Sequence, residues 1–418
     1  MGYSRFIFFC RSIKGAKYRD RMTTNPSQTQ SVEPAPTQTR ELKRNLIAFW
    51  IIGLCNNLVY VVMVKAALDS PGRPTSFILF AAILPAILVK LAAPFFMQKV
   101  NYHIRLAFVI LCITASLLIF AFSGEYYVSF LAVAIASLCS GLGEITFLGL
   151  LSHFKRSTVS AWSSGTGMSG IIGSVAILVL HHHGSYKHKA VLSLLVVPFI
   201  VAISIWVILK FPSKIRKPFS ANKEVEPVTM LADNSTVIIP VSTNVDPDRT
   251  KYMSIKMKLK IIYNLKKYTI PLFIVYLAEY AINLGLCDSR YFTLYWKEGP
   301  KIDSMYYQVG YHIAVFISCL SVYLFHIKKV IYLSIGQCLL LVLLLLDGYF
   351  NFIDLFEVTL CLSILEGLLG GGVYVNTFFR MSEEVEPDIR EFALGATGFS
   401  DACAVFVAGT IAMLYLYF

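Results

Sequence analysis

Long apolar runs separated by short polar ones set the pattern of the chain. A membrane-crossing helix needs about 20 apolar residues, and such runs lie near 45–67, 77–97, 104–123, 126–152, 160–181 and 190–211. After a polar gap they resume near 268–288, 306–326, 330–350, 356–379 and 391–418. The pattern predicts an all-α polytopic membrane protein with about eleven transmembrane helices. Two segments fall outside it. Residues 1–44 are basic, then rich in Ser, Thr, Pro and Gln, the composition of a disordered tail. Residues 212–267 mix Pro, Asn, Lys and acidic side chains and read as a linker loop. The domain plan is therefore a tail, a six-helix bundle over 45–211, a linker and a five-helix bundle over 268–418.

Composition agrees with this reading. The chain is 56% hydrophobic and 15% charged, whereas a soluble domain carries about a quarter charged residues. A net charge of +12 would suggest a nucleic-acid partner for a soluble protein. Here it follows topology, and no nucleic acid is expected. Lys43, Arg44, Lys99, Arg105, Lys155, Arg156, Lys328, Lys329 and the stretch 210–267 fall on alternate connections. Positive-inside reasoning places the N-terminus and the linker in the cytoplasm, and an odd number of spans places the C-terminus on the lumenal side. HHHGSYKHK (181–189) is then lumenal despite its lysines, and SEEVEP (382–387) is an acidic cytoplasmic exception.

Targeting and metal signals are few. SRFIFFC is too short for a signal-peptide core, and MGYSRF lacks the Ser or Thr of a myristoylation site. In the linker, Asn234-Ser235-Thr236 is a sequon that a cytoplasmic loop leaves unglycosylated. Tyr252 to Ile255 forms a short tyrosine-based sorting pattern for trafficking adaptors. The histidines at 181–183 and His188 invite a metal, but no carboxylate or cysteine nearby completes a ligand set. A hydrated loop that becomes cationic in an acidic lumen is the expectation. The cysteines sit mostly inside apolar runs without a C-x-x-C pair, as packing residues. Neither a metal nor a cofactor is expected.

The spans also repeat. CSGLGEITFLGL (139–150) lies over LEGLLGGGVYVN (365–376), with Gly141-Leu142 on Gly367-Leu368. SSGTGMSG (163–170) lies over LGATGFSD (394–401), sharing Thr-Gly-x-Ser. A fainter match places Asn56 over Glu279. Two consecutive matches six spans apart argue for duplication, the plan of the major facilitator fold with its central site. The second half lacks a sixth span.

Within these spans, ionisable groups mark function by default, since each costs about 3 kcal/mol or more in hydrocarbon. Lys90 lies mid-span between Pro85 and Pro94, which can bend the helix where it lines a cavity. Glu144, Glu279, Glu366 and Asp401 lie inside spans 4, 7, 10 and 11. Asn56, Asn57, Asn283, Asn376 and His312 add polar groups that carry no fixed charge. The carboxylates outnumber the one lysine, so they cannot all be structural ion pairs, although Lys90 with Glu144 is one such pairing. In the repeat register Glu366 lies over Ser140, one turn from Glu144, and both are expected to face one cavity. Buried carboxylates can also exchange protons between an acidic lumen and a neutral cytosol. Gly141, Gly143, Gly165, Gly167, Gly170, Gly367 and Gly371 read as positions of close helix packing. GLLGGG does not match a phosphate-binding loop, and no nucleophile–base set or H-E-x-x-H motif points to an enzyme.

TSFILFAAILPAILVKLAAPFF, SLCSGLGEITFLGL, SAWSSGTGMSG, VYLAEYAINLGL, LEGLLGGGVYVNTF and REFALGATGFSD resemble the battenin family, in order and across most of the membrane part. The resemblance implies a lysosomal and late-endosomal multi-pass protein with a major-facilitator-like fold. It also implies roles in organelle pH, basic amino-acid handling and glycerophosphodiester clearance. The chain ends in YLYF where the vertebrate members carry a prenylation signal, and its linker has no acidic dileucine. Two functions follow as expectations. One is secondary transport of a small polar solute, a glycerophosphodiester or an arginine-like amino acid, with protons as a possible partner. The other is a non-transporting scaffold that regulates trafficking.

Overall fold

The computed structural model describes residues 36–68, 75–122, 126–182, 194–212, 253–286, 302–350, 352–353 and 355–417. Among them there is no strand. Residues 40–418 form one unit that contains all the packing described below; of a second, 1–39, only the start of the first helix is described. The spans are α1 (Pro36–Leu68), α2 (Thr75–Phe96), α3 (Tyr102–Phe122), α4 (Tyr126–Leu151), α5 (Ser157–His182) and α6 (Val196–Ile203). A short helix, α7 (Ile255–Asn264), precedes α8 (Lys266–Tyr280), α9 (Ile302–Ser321), α10 (Ile331–Phe350), α11 (Phe356–Glu384) and α12 (Pro387–Tyr417). Each predicted span coincides with one of these, and 7 of the described helices are long and apolar enough to cross a membrane.

Three elements differ from the sequence expectation. First, α1 begins at Pro36, inside the predicted tail: proline suits a first helical turn, and Arg40, Glu41, Leu42 and Lys43 are good helix formers. Lys210 Nζ holds Glu41 at 2.6 Å, and the Lys210 N–H donates to Asn45 Oδ1 at 3.0 Å, fixing this extension to the end of span 6. Second, α6 and α8 finish in π-helical turns, Ser204–Ile208 and Ala281–Leu286. Third, the linker contains α7, capped by the Ser254 hydroxyl, which accepts from Met257 N–H at 3.4 Å. Lys258 of α7 is buried and donates to Phe95 O at 2.8 Å and Gln98 Oε1 at 3.2 Å. Ile255 opens α7 and is exposed, whereas Tyr252, the sequon, His183 and His188 lie outside the described residues.

The repeat seen in two sequence segments recurs as a repeat of helix contacts. α2 packs on α4 as α9 packs on α11, and α3 packs on α4 as α10 packs on α11. α5 lies against α9 as α12 lies against α2. Gly53 and Gly165 bring α1 and α5 together backbone to backbone, and α8 lies on α12. Gly141 shows why glycine is needed: a Cβ there would meet Ala86 Cα of α2 at 3.1 Å. Gly367, its partner in the repeat, meets the Tyr311 carbonyl and Ala314 of α9.

Candidate functional site

Pro85 prepares the site. A proline inside a helix removes one N–H and pushes away the carbonyl a turn earlier, so neighbouring spans supply partners. Around it, Tyr60 donates to Ala82 O at 3.1 Å, and the Ala86 N–H donates to Ser137 Oγ at 3.2 Å. Lys90, one turn further along, projects into a cavity of about 230 Å³ walled by α1, α2, α4, α5, α8, α9, α11 and α12.

There Lys90 Nζ sits 2.8 Å from Glu144 Oε2 and 2.8 Å from Asp401 Oδ2. Three helices, one from the second half, thus meet on one ammonium. Tyr374 donates to Glu144 Oε1 at 3.4 Å, and Trp162 Nε1 donates to the Tyr374 oxygen at 3.3 Å. Asp401 Oδ1 and Asn56 Oδ1 have no protein partner, although Asn56 Nδ2 donates to Ser140 O at 3.4 Å. Asn57 lines the same space. Glu279 is a further buried carboxylate of the wall and accepts from the Tyr311 hydroxyl. The cavity therefore holds three carboxylates against one lysine, with His312 on its α9 side.

Of the residues the sequence singled out, Lys90, Glu144, Glu279, Asp401, Asn56, Asn57 and His312 converge on this cavity. Glu366, Asn283 and Asn376 do not line it. The expected common cavity for Glu144 and Glu366 is corrected by the structure: Glu366 is absent from the wall, although Ser140, over which it lies in the repeat, is part of it. Position 370, not 366, lies over Glu144; it is glycine, and Glu279 fills the space a side chain would take. Glu366 lies a turn away and accepts from Asn283 Nδ2 at 2.9 Å. Asn376 is structural: its Oδ1 accepts from the Ile327 N–H at 2.8 Å and its Nδ2 donates to Gly372 O at 2.8 Å, tying a loop to α11. Among the glycines, Gly143 lies against Asn56, Gly165 against Trp50, Gly167 against Phe316, Gly170 against His312 and Gly371 against Val315.

Sequence reasoning missed the aromatic lining. Tyr60, Trp162, Tyr276, Tyr280, Tyr311 and Tyr374 all face the cavity. Tyr276 and Tyr280 lie within one turn of Glu279, the signal that could have found them. It also missed a second charged cluster at the ends carrying the basic loops. There Glu391 of α12 takes Arg105 Nη1 at 3.4 Å on one oxygen and His153 Nε2 at 3.2 Å on the other. Arg156 and Glu383 pair nearby at 2.8 Å.

Comparisons place this arrangement among known proteins. A model of the CLN3 protein family matches residues 47–417. Battenin of Canis lupus familiaris is 31% identical, the match covering 94% of this chain and 96% of that protein. Protein BTN1 of Eremothecium gossypii is 35% identical over 89% of this chain and 95% of its own. Among solved structures, the human organic anion transporter MFSD10 (TETRAN) superposes with a TM-score of 0.61 at 11% identity, covering 91% of this chain and 95% of that one. At that identity the likeness concerns the fold, which is major-facilitator-like.

Proposed function

The chain belongs to the CLN3 protein family, and from that membership and the cavity we propose that it is a secondary transporter of a small polar solute. The carrying observation is a buried lysine shared by carboxylates from both halves, in a cavity walled by eight helices. Buried charge of this kind is expensive and marks a solute or ion path. In this reading residues 45–211 and 268–418 are two bundles that rock about the cavity, joined by the 212–267 linker. The residence implied by the family resemblance is the lysosomal and late-endosomal membrane, with a cytoplasmic N-terminus and a lumenal C-terminus. No catalytic role is assigned.

A glycerophosphodiester fits with its phosphate on Lys90, taking the place of one carboxylate, and its hydroxyls on Asn56, Asn57 and the displaced carboxylate. An arginine-like amino acid has one observation in its favour: carboxylates exceed cations in the cavity wall. Purified protein in proteoliposomes under an imposed pH gradient separates the two. Uptake and efflux of a radiolabelled glycerophosphodiester and of radiolabelled arginine are compared side by side. Flux of at least one, abolished by Lys90→Met, is the expected result. Absence of flux for both, with function lost on deleting the linker alone, would return the protein to the scaffold reading.

A further inference from the structure

The five ionisable groups of the spans fall into two sets. Lys90, Glu144 and Asp401 form a compensated triad. Glu279, in the wall of the same cavity, and Glu366, outside it, lie along the seam between α8 and α11. Asn283 is four residues beyond Glu279 on α8 and bonds Glu366 at 2.9 Å. Gly370 is four residues beyond Glu366 on α11 and is the position against which Glu279 packs. The two carboxylates are therefore stacked about one helical turn apart, roughly 6 Å along the axes. Glu279 opens to the cavity; Glu366 is displaced toward the opposite end from the basic loops and is 2% exposed.

Among the described residues neither carboxylate has a lysine, arginine or histidine in ion-pair contact. The titratable groups around Glu279 are Tyr311 and Cys319 of α9, with Tyr276 and Tyr280 of its own helix. Around Glu366 they are Glu279 and Tyr311, and Asn283 supplies the hydrogen bond. His312, next to Tyr311, lies against Gly170 of α5. Two carboxyl groups close together without a counter-ion hold a proton more cheaply than two charges. The seam also ends in the π-helical turn Ala281–Leu286, where the backbone departs from regular helix.

We infer that Glu279 and Glu366 form the proton-carrying site of the transporter, distinct from the Lys90–Glu144–Asp401 triad that meets the solute. A proton from the lumenal side binds a Glu366 oxygen. The O–H bond there breaks as one forms on a bridging hydroxyl or water, which gives its own proton to a Glu279 oxygen, and the proton leaves through the cavity, so that charge and atoms balance. The inference rests on the transporter reading, and its test keeps the two apart.

Proteoliposomes loaded with pyranine are given a radiolabelled glycerophosphodiester or arginine, whichever the wild-type protein moves. Counterflow at equal pH reports the solute site alone, and accumulation under a pH gradient reports coupling. Glu366→Gln is expected to keep counterflow within about twofold and to lose at least tenfold of gradient-driven accumulation, with the solute-linked pyranine signal. Glu366→Asp, which keeps a titratable carboxyl, retains the drive. Undiminished accumulation in Glu366→Gln overturns the inference and leaves the transporter reading intact. Loss of counterflow together with the drive, at an unchanged melting temperature, also overturns it. Absence of both signals in the wild type refutes the transporter reading instead. Should Glu366→Gln fail to fold, wild-type protein treated with dicyclohexylcarbodiimide, which attacks protonated carboxyls in apolar surroundings, supplies the reading by mass spectrometry. Adducts on Glu279 or Glu366 support the site; adducts confined to Glu144 and Asp401 overturn it.

Discussion

Asp401 and Glu391 are both carboxylates of α12, and both tie that helix to the first half of the chain. They lie ten residues apart, about 15 Å along the axis. Glu391 uses each oxygen once, on Arg105 at 3.4 Å and on His153 at 3.2 Å. Asp401 shares Lys90 with Glu144 and leaves Oδ1 without a protein partner. A cluster in which both carboxylate oxygens are answered holds its helices together. One in which two carboxylates compete for a single ammonium can give a partner up to a solute. The difference separates a latch from a binding site on one helix, although both are buried ion networks.

The largest effect is expected at the shared ammonium. Lys90→Met leaves Glu144 and Asp401 facing each other in the cavity, and removing one member of a buried ion pair costs about 3–5 kcal/mol. Transport should fall to background, and the melting temperature in detergent should drop. The double variant Lys90→Met/Glu144→Gln sharpens the comparison: it should regain much of the melting temperature and none of the transport. Recovery of transport in the double variant would mean that the triad is structural.

A smaller effect belongs to the latch. Glu391→Ala leaves the Arg105 guanidinium buried without its carboxylate, a loss of about 1–3 kcal/mol for an orphaned polar group. Arg105 keeps its Val100 carbonyl at 2.8 Å, which limits the damage. If the cluster holds the two halves together at the basic ends, a cysteine placed at Ser157 should react faster with a membrane-impermeant maleimide from that side. Unchanged labelling would reduce the cluster to packing. Asp401→Asn ranks below both, since an amide oxygen still accepts from Lys90. It should lower solute affinity several-fold while leaving the melting temperature nearly unchanged, the reverse of Glu391→Ala.

Most helices were legible because twenty apolar residues in hydrocarbon have one stable answer, a helix that satisfies its own backbone. α7 was hidden because its lysines alternate with apolar residues inside a segment whose average composition is that of a loop. Lys90, Glu144 and Asp401 were legible as costs, since a charge in an apolar run stands out wherever it points. Their convergence was not, because no repeat register relates α2 to α12. Asn376 reads the same in sequence whether it lines a cavity or answers a loop N–H, and only the position of Ile327 decides. The cavity tyrosines stayed hidden because a phenol is tolerated in many apolar surroundings. Glu391 opens the last predicted span and gives no signal of its own there, since its partners Arg105 and His153 come from the far side of the chain.

The smallest effect tests whether burial, rather than proximity to the basic ends, makes the latch. Arg156 and Glu383 also join the two halves, at 2.8 Å, a shorter pairing than Arg105 with Glu391. Their side chains are 54% and 32% exposed, against 5% and 15% for the buried pair. Water and salt screen an exposed pair, which contributes about 0–1 kcal/mol whatever its length. Arg156→Ala should therefore leave the melting temperature and the Ser157 labelling rate close to wild type, with any change vanishing in high salt. A response as large as that of Glu391→Ala, persisting in salt, would show that bridging the halves matters more than burial, and the contrast between a satisfied buried cluster and a competing one would lose its basis.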